Sequence, residues 1–218
     1  MFQKEEYQFI YRWFSNILGR ELTDAQLQSL QAGEFTPFFA FLKEAGFAAE
    51  IAQLETALAS LQLYSHARLE LAADFAECFL LEGAISAMPY ASAYLAGEEL
   101  TSNLQKMDDY FTEFGLQTNR QVNEPSDHLC VYLEILLKLV EQKTLAEQRQ
   151  FIRKQLQTWL LKMAEKLAKI PLQNQFYPAL FSLLCKILTL HASRQIREEK
   201  VVHEVIMAMD KAYHHTKK

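Results

Sequence analysis

Turn formers are scarce in this chain, with six glycines and five prolines in 218 residues. Folds built from many short strands use more of both at their turns, so a β-sandwich or barrel is disfavoured. No run alternates apolar and polar residues at useful length between turn signals, which argues against strands altogether. Cysteine is sparse as well. Cys78, Cys130 and Cys185 are far apart, form no CxxC pair and sit among apolar residues, the pattern of free thiols packed in helices of a reduced cytosolic protein. The chain opens Met1-Phe2-Gln3-Lys4-Glu5-Glu6, without a basic segment leading into an apolar one, so no secretory signal is expected. The most apolar late stretch, Phe176 to Leu190, is interrupted by Pro178 and Lys186 and reads as too short for a membrane span. The expectation is a soluble, non-exported protein with no membrane insertion.

Catalytic signatures are missing too. There is no GxxxxGK[ST] loop to cradle phosphates, no GxGxxG after a strand, no HExxH and no GxSxG. The histidines lack metal-ligand spacing, and His214 and His215 sit in a tail ending Lys217-Lys218. A pI near 5.7, with no basic patch interleaved with aromatics, argues against nucleic acid. No enzyme, cofactor or metal is expected.

Core-forming material is plentiful: half the residues are hydrophobic and 22% are charged. Leu129, Tyr132, Leu133, Leu136, Leu137 and Val140 recur at helical spacing, and Val131, Ile135 and Leu139 widen that stripe, so this helix should be central. Thr23 with Gln26, and Thr144 with Glu147, have the spacing of capping boxes. Thr36-Pro37 places a cap before a proline suited to the first helical position. Helices are predicted near 3–18, 23–32, 37–45, 47–63, 66–82, 98–114, 127–142, 145–168, 173–191 and 195–213, with no internal repeat. The fold class is all-α, a single helical domain of about ten helices. Two segments interrupt the helical rhythm, 82–97 and 115–125. The second marks a hinge at about 116–126 between an N-terminal lobe (about 1–115) and a C-terminal lobe (about 127–218).

Charge gathers in the middle of the chain. From His66 to His128, eleven acids face three bases, a net −8, against −5 for the whole chain, which leaves +3 for the rest. Such a field favours a basic partner. Within it, Leu71, Phe75, Cys78 and Phe79 share one helical face and Glu70, Asp74 and Glu77 another. Like charges at this spacing repel, so the acids read either as a binding surface or as a solvated face. The loop Met88-Pro89-Tyr90-Ala91-Ser92-Ala93-Tyr94 offers tyrosines and a serine for peptide recognition, or else the rings pin the loop to the core. In Asn123-Glu124-Pro125-Ser126-Asp127-His128-Leu129, Ser126 or Asp127 is expected to cap the long helix, with His128 in its first turn. Glu124, Asp127 and His128 read as a polar cluster at the mouth of an inter-lobe cleft, or as a cap beside a satisfied histidine.

The blocks ARLELAADF, MPYASAY and NEPSDHLCVYLEIL resemble those of the TorD family of molybdoenzyme chaperones, within the redox-enzyme maturation proteins. The EPxDH core, here Glu124, Pro125, Asp127 and His128, is the most specific. The resemblance spans most of the chain and weakens after about Leu145. It implies an all-helical cytoplasmic protein that binds an apo-molybdoreductase of the trimethylamine-N-oxide reductase type and its twin-arginine signal peptide, before molybdenum-cofactor insertion and export. It implies a monomer or a domain-swapped homodimer, and leaves room for molybdenum-cofactor biosynthesis proteins as further partners. A twin-arginine signal is basic and then apolar, so its receptor should join acids to an aromatic-lined groove. On that reading Glu70, Asp74, Asp127 and Glu124 meet the basic part, Phe75, Pro89, Tyr90 and Tyr94 line the apolar part, and Pro125 lets the lobes open or swap. The alternatives are a chaperone of a related client such as dimethyl-sulfoxide reductase, a guanine-nucleotide-hydrolysing switch, for which no cradle is readable, and a purely structural helical adaptor.

Overall fold

The computed structural model describes residues 2–82, 85–116 and 126–193. Its elements are α1 (Lys4–Leu18), α2 (Asp24–Gln31), α3 (Thr36–Leu42), α4 (Ala48–Leu61), α5 (Ala67–Phe79), α6 (Gly97–Glu113), α7 (Leu129–Gln142), α8 (Leu145–Phe151) and α9 (Gln157–Leu167). A further helix, α10, follows at Phe176–Ser193. No strand occurs among the described residues. Every helix expected up to residue 191 is present, and the one expected near 195–213 lies outside the described residues. Both capping boxes form. Thr23 Oγ1 accepts the Gln26 N–H at 3.2 Å, and the Gln26 side chain accepts the Thr23 N–H at 2.9 Å. Thr144 and Glu147 repeat the exchange at 3.4 and 2.9 Å. Each box satisfies amides that the first turn leaves without partners.

Three helix details differ from the sequence reading. Thr36 is the first residue of α3 rather than its cap, and Phe35 takes the cap position. α3 runs through a π-type turn, Lys43–Phe47, that breaks at Gly46, where φ is +102°. Only a residue without a Cβ takes that conformation cheaply, so Gly46 separates α3 from α4. The single helix expected over 145–168 carries a second π-type turn at Ile152–Leu156, joining α8 to α9. The wider turn leaves the Gln155 carbonyl available to side chains: Asn103 Nδ2 donates to it at 3.1 Å and Trp159 Nε1 at 2.9 Å.

The core is organised on α1 and α7. Tyr7, Ile10, Tyr11, Phe14, Ile17 and Leu18 of α1 are buried, as is the α7 stripe. The helices run antiparallel: Lys4 donates to the Glu141 carbonyl at one end, and the Cys130 thiol lies 3.6 Å from the Ser15 carbonyl at the other. Gly19 permits that second approach, since a Cβ there would stand 3.3 Å from the Cys130 sulfur and 2.8 Å from the Ser15 oxygen. One hydrophobic cluster extends from Phe2 to Ala192. α10 closes it, and its 18 residues, with mean hydropathy 1.3, are enough by length and composition to cross a membrane, against the expectation that the stretch from Phe176 is too short. However, 61% of that helix is buried inside the protein, where Phe176, Tyr177, Leu180 and Phe181 pack as core.

A polar chain crosses this apolar interior. The Tyr11 hydroxyl lies 2.7 Å from His191 Nδ1, and His191 Nε2 lies 3.0 Å from Gln148 Oε1. A neutral imidazole with its proton on Nε2 satisfies both contacts, with Tyr11 donating to Nδ1. Burial, with the Arg149 charge added, pushes His191 down to about 3.

Candidate partner-binding site

The segments on either side of residues 117–125 meet. An antiparallel bridge pairs Tyr90 with His128. The Ala91 N–H donates to the Asp127 carbonyl at 3.0 Å, and the Leu129 N–H to the Pro89 carbonyl at 2.8 Å. The Asp127 carboxylate adds a third link, accepting the Ser92 N–H at 3.0 Å. The Tyr90 and His128 rings meet edge to face with centroids 5.0 Å apart. The structure therefore brings together Pro89, Tyr90, Ser92, Asp127 and His128, five of the residues singled out in the sequence. Glu124 and Pro125 lie outside the described residues.

The capping roles differ from those expected. His128, not Ser126 or Asp127, is the N-cap of α7, and its Nδ1 accepts the Cys130 N–H at 3.2 Å. Asp127 is thereby left to hold the tyrosine loop. Asp127, His128 and Pro89 are buried, Tyr90 is half-buried and Ser92 is exposed. Tyr94 turns inward: its ring stacks on Trp159 with centroids 6.1 Å apart, and its hydroxyl is buried with no hydrogen-bond partner among the described residues. Burial raises its pKa. Lys162 fastens the end of the loop by donating to the Tyr94 carbonyl at 3.2 Å.

The α5 residues separate into different environments. Phe75 is buried, with its ring 5.1 Å from Phe79 and 5.3 Å from Tyr177, so it lines the core and no open groove. Asp74 is 1% exposed, and its two oxygens accept the N–H groups of Gln173 and Asn174 at 3.1 and 2.9 Å. Burial raises its pKa, against the lowering pull of those two amides. Asn174 extends the clamp by donating to the Ala57 carbonyl and the Ser60 hydroxyl and accepting the Phe176 N–H that opens α10. Asp74 thus anchors the loop before α10, with both carboxylate oxygens engaged inside the protein. Glu70 is half-buried and Glu77 is exposed.

The sequence reading did not include Asn174 or Asn103. Asn103 accepts the Tyr132 hydroxyl at 2.5 Å. The available signal was an amide within the apolar row Leu100, Leu104, Met107, Phe111 of α6. Among the described residues no group of three or more His, Cys, Asp or Glu could hold a metal ion.

Comparison with known proteins identifies the family. The profile of the nitrate reductase delta subunit family matches residues 42–165. A protein of Actinobacillus succinogenes named Chaperone protein TorD is 53% identical over 186 residues, covering 85% of this chain and 96% of its own length. Namesakes from Pasteurella multocida and Escherichia coli are 44% identical over 187 residues and 40% over 131. The Pasteurella match covers 86% of this chain and 95% of the relative, and the Escherichia match 60% and 63%. The chain belongs to the nitrate reductase delta subunit family, with the TorD chaperones of redox-enzyme maturation, and is a chaperone rather than an enzyme.

Proposed function

We propose that this protein is a dedicated cytoplasmic chaperone that binds the twin-arginine signal peptide and the apo form of a molybdoreductase of the trimethylamine-N-oxide reductase type. On this reading it keeps the apoenzyme competent for molybdenum-cofactor insertion until export. The observation that carries the reading is the Tyr90–His128 bridge, which joins two of the family-like blocks in the acidic part of the chain. Glu70 and Glu124 offer charge to the basic part of the leader, and Tyr90 and Ser92 offer contact beside it. Asp127 and His128 hold the loop in place. The lobes, about 1–115 and 127–218, part at 116–126. Because α1 packs along α7, separation exposes core surface unless a second copy remakes the same contact, which favours a domain-swapped dimer over a simple opening.

Calorimetric titration tests the reading. Tight binding to a trimethylamine-N-oxide reductase apoenzyme, lost when its leader is removed, is the expected result. Binding only to a dimethyl-sulfoxide reductase leader assigns a sister client. Binding to neither overturns the chaperone–client assignment.

A further inference from the structure

A helix on a protein surface ordinarily buries its apolar face and turns charge outward. α5 does not follow that pattern. Its buried face carries Leu71, Phe75, Cys78 and Phe79. At about 100° per residue, the opposite face carries Leu69, Ala73, Ala76 and Leu80. Leu69 is 54% exposed and Leu80 60%. The strip continues past the helix end through Leu81 at 40% and Ile85 at 63%. Of the seven large hydrophobic residues exposed among the described residues, five lie between positions 63 and 85. Single exposed leucines are ordinary, whereas a row of them on the solvent side of one helix marks a contact surface.

The charge beside the row indicates what it contacts. Glu70 and Glu77 follow one edge of the strip, and Glu82, also exposed, stands beyond its end. The nearby basic residue, Arg68, lies toward the other edge, where its Nε is 3.3 Å from Asp24. A second copy of this chain would bring the same acidic edge against this one, so self-pairing through α5 is disfavoured. An apolar helical segment with basic residues along one side matches both features. The alanines leave room for a backbone to approach, and Leu69 to Leu80 spans roughly 16 Å, about three helical turns.

We propose that the outward face of α5, with Leu69 and Leu80 as anchors and Glu70 and Glu77 as the acidic edge, receives an apolar, basic-flanked helical segment of the client. This rests on the client-binding reading above and moves the apolar contact away from Phe75 and Pro89, which are buried. The probe is a fluorescently labelled twin-arginine leader of trimethylamine-N-oxide reductase, titrated with the full chain by anisotropy. Leu69→Ser with Leu80→Ser should weaken binding by about tenfold or more, because central apolar anchors carry most of such affinities. Phe9→Ser, an exposed apolar residue on α1, should leave it unchanged. Glu77→Lys should weaken binding and flatten its salt dependence. If the wild-type chain binds and the α5 variants bind equally well, the α5 assignment is overturned and the chaperone reading stands. If the wild-type chain binds neither this leader nor that of a dimethyl-sulfoxide reductase, both are overturned. If sedimentation shows that the double variant only converts a dimer to a monomer while leader affinity holds, the face serves self-association and the proposal is overturned.

Discussion

Asp74 and Asp127 look alike in the sequence, two acids among apolar and aromatic neighbours, and the structure gives them related anchoring tasks. Asp74 holds the Gln173 and Asn174 amides, so Asp74→Ala leaves two donors without their acceptor. Hydrogen bonds to charged groups contribute about 1.5–3 kcal/mol, and a loss of that size is expected in the urea midpoint, with the slope unchanged. Glu70→Lys should do the reverse, altering leader affinity while leaving the midpoint nearly fixed. For Asp127→Ala the expected loss is about 1–3 kcal/mol, with faster hydrogen exchange at the Ser92 amide as the local signature. The sequence allowed the acids of this region to be named as a group. It could not separate anchoring acids from presented ones, because that depends on which backbone amides arrive from a hundred residues away.

Among the elements, α3 and α4 show local chemistry deciding a boundary. A Cβ at Gly46 would touch nothing within 4 Å, so the cost of Gly46→Ala comes from the backbone alone. At φ +102° that cost is about 1–2 kcal/mol, measurable as a lowered thermal midpoint, and Gly46→Asn should lose less. Helix starts were readable for the same local reason: Thr23 and Thr144 reach only three residues ahead. The start of α7 was misread because Asp127 had two uses open to it. The tyrosine loop took its carboxylate, and His128 became the cap. The π-type turn at Ile152–Leu156 was equally unreadable, since its benefit lies in what Asn103 on α6 and Trp159 find at the Gln155 carbonyl.

For the molecule as a whole, the Tyr11–His191–Gln148 chain ties the first helix to the last described one through α8. His191 is held well below its usual pKa by burial and by Arg149. The unfolded chain therefore takes up a proton that the folded one refuses, and stability present above about pH 6.5 falls as pH drops toward 3. Each pH unit in that window removes up to about 1.4 kcal/mol. Urea unfolding at pH 7, 6 and 5 should show the decline, and His191→Gln should flatten it. Equal slopes in the two proteins would place the acid sensitivity in other groups.

The sequence by itself determined the helical class, the capping boxes, the central α7 stripe and the family-like blocks. Each depends on residues near one another along the chain, where helix geometry fixes the spacing. Tertiary structure decided which of those residues face outward. Phe75, Pro89 and Asp74 are buried because α10, the 126–129 segment and the loop at 173–174 pack over them, whereas Leu69 and Leu80 are left exposed because no described element covers that side of α5. A helical period gives the angle between two side chains, but only the packed neighbours determine which side meets solvent.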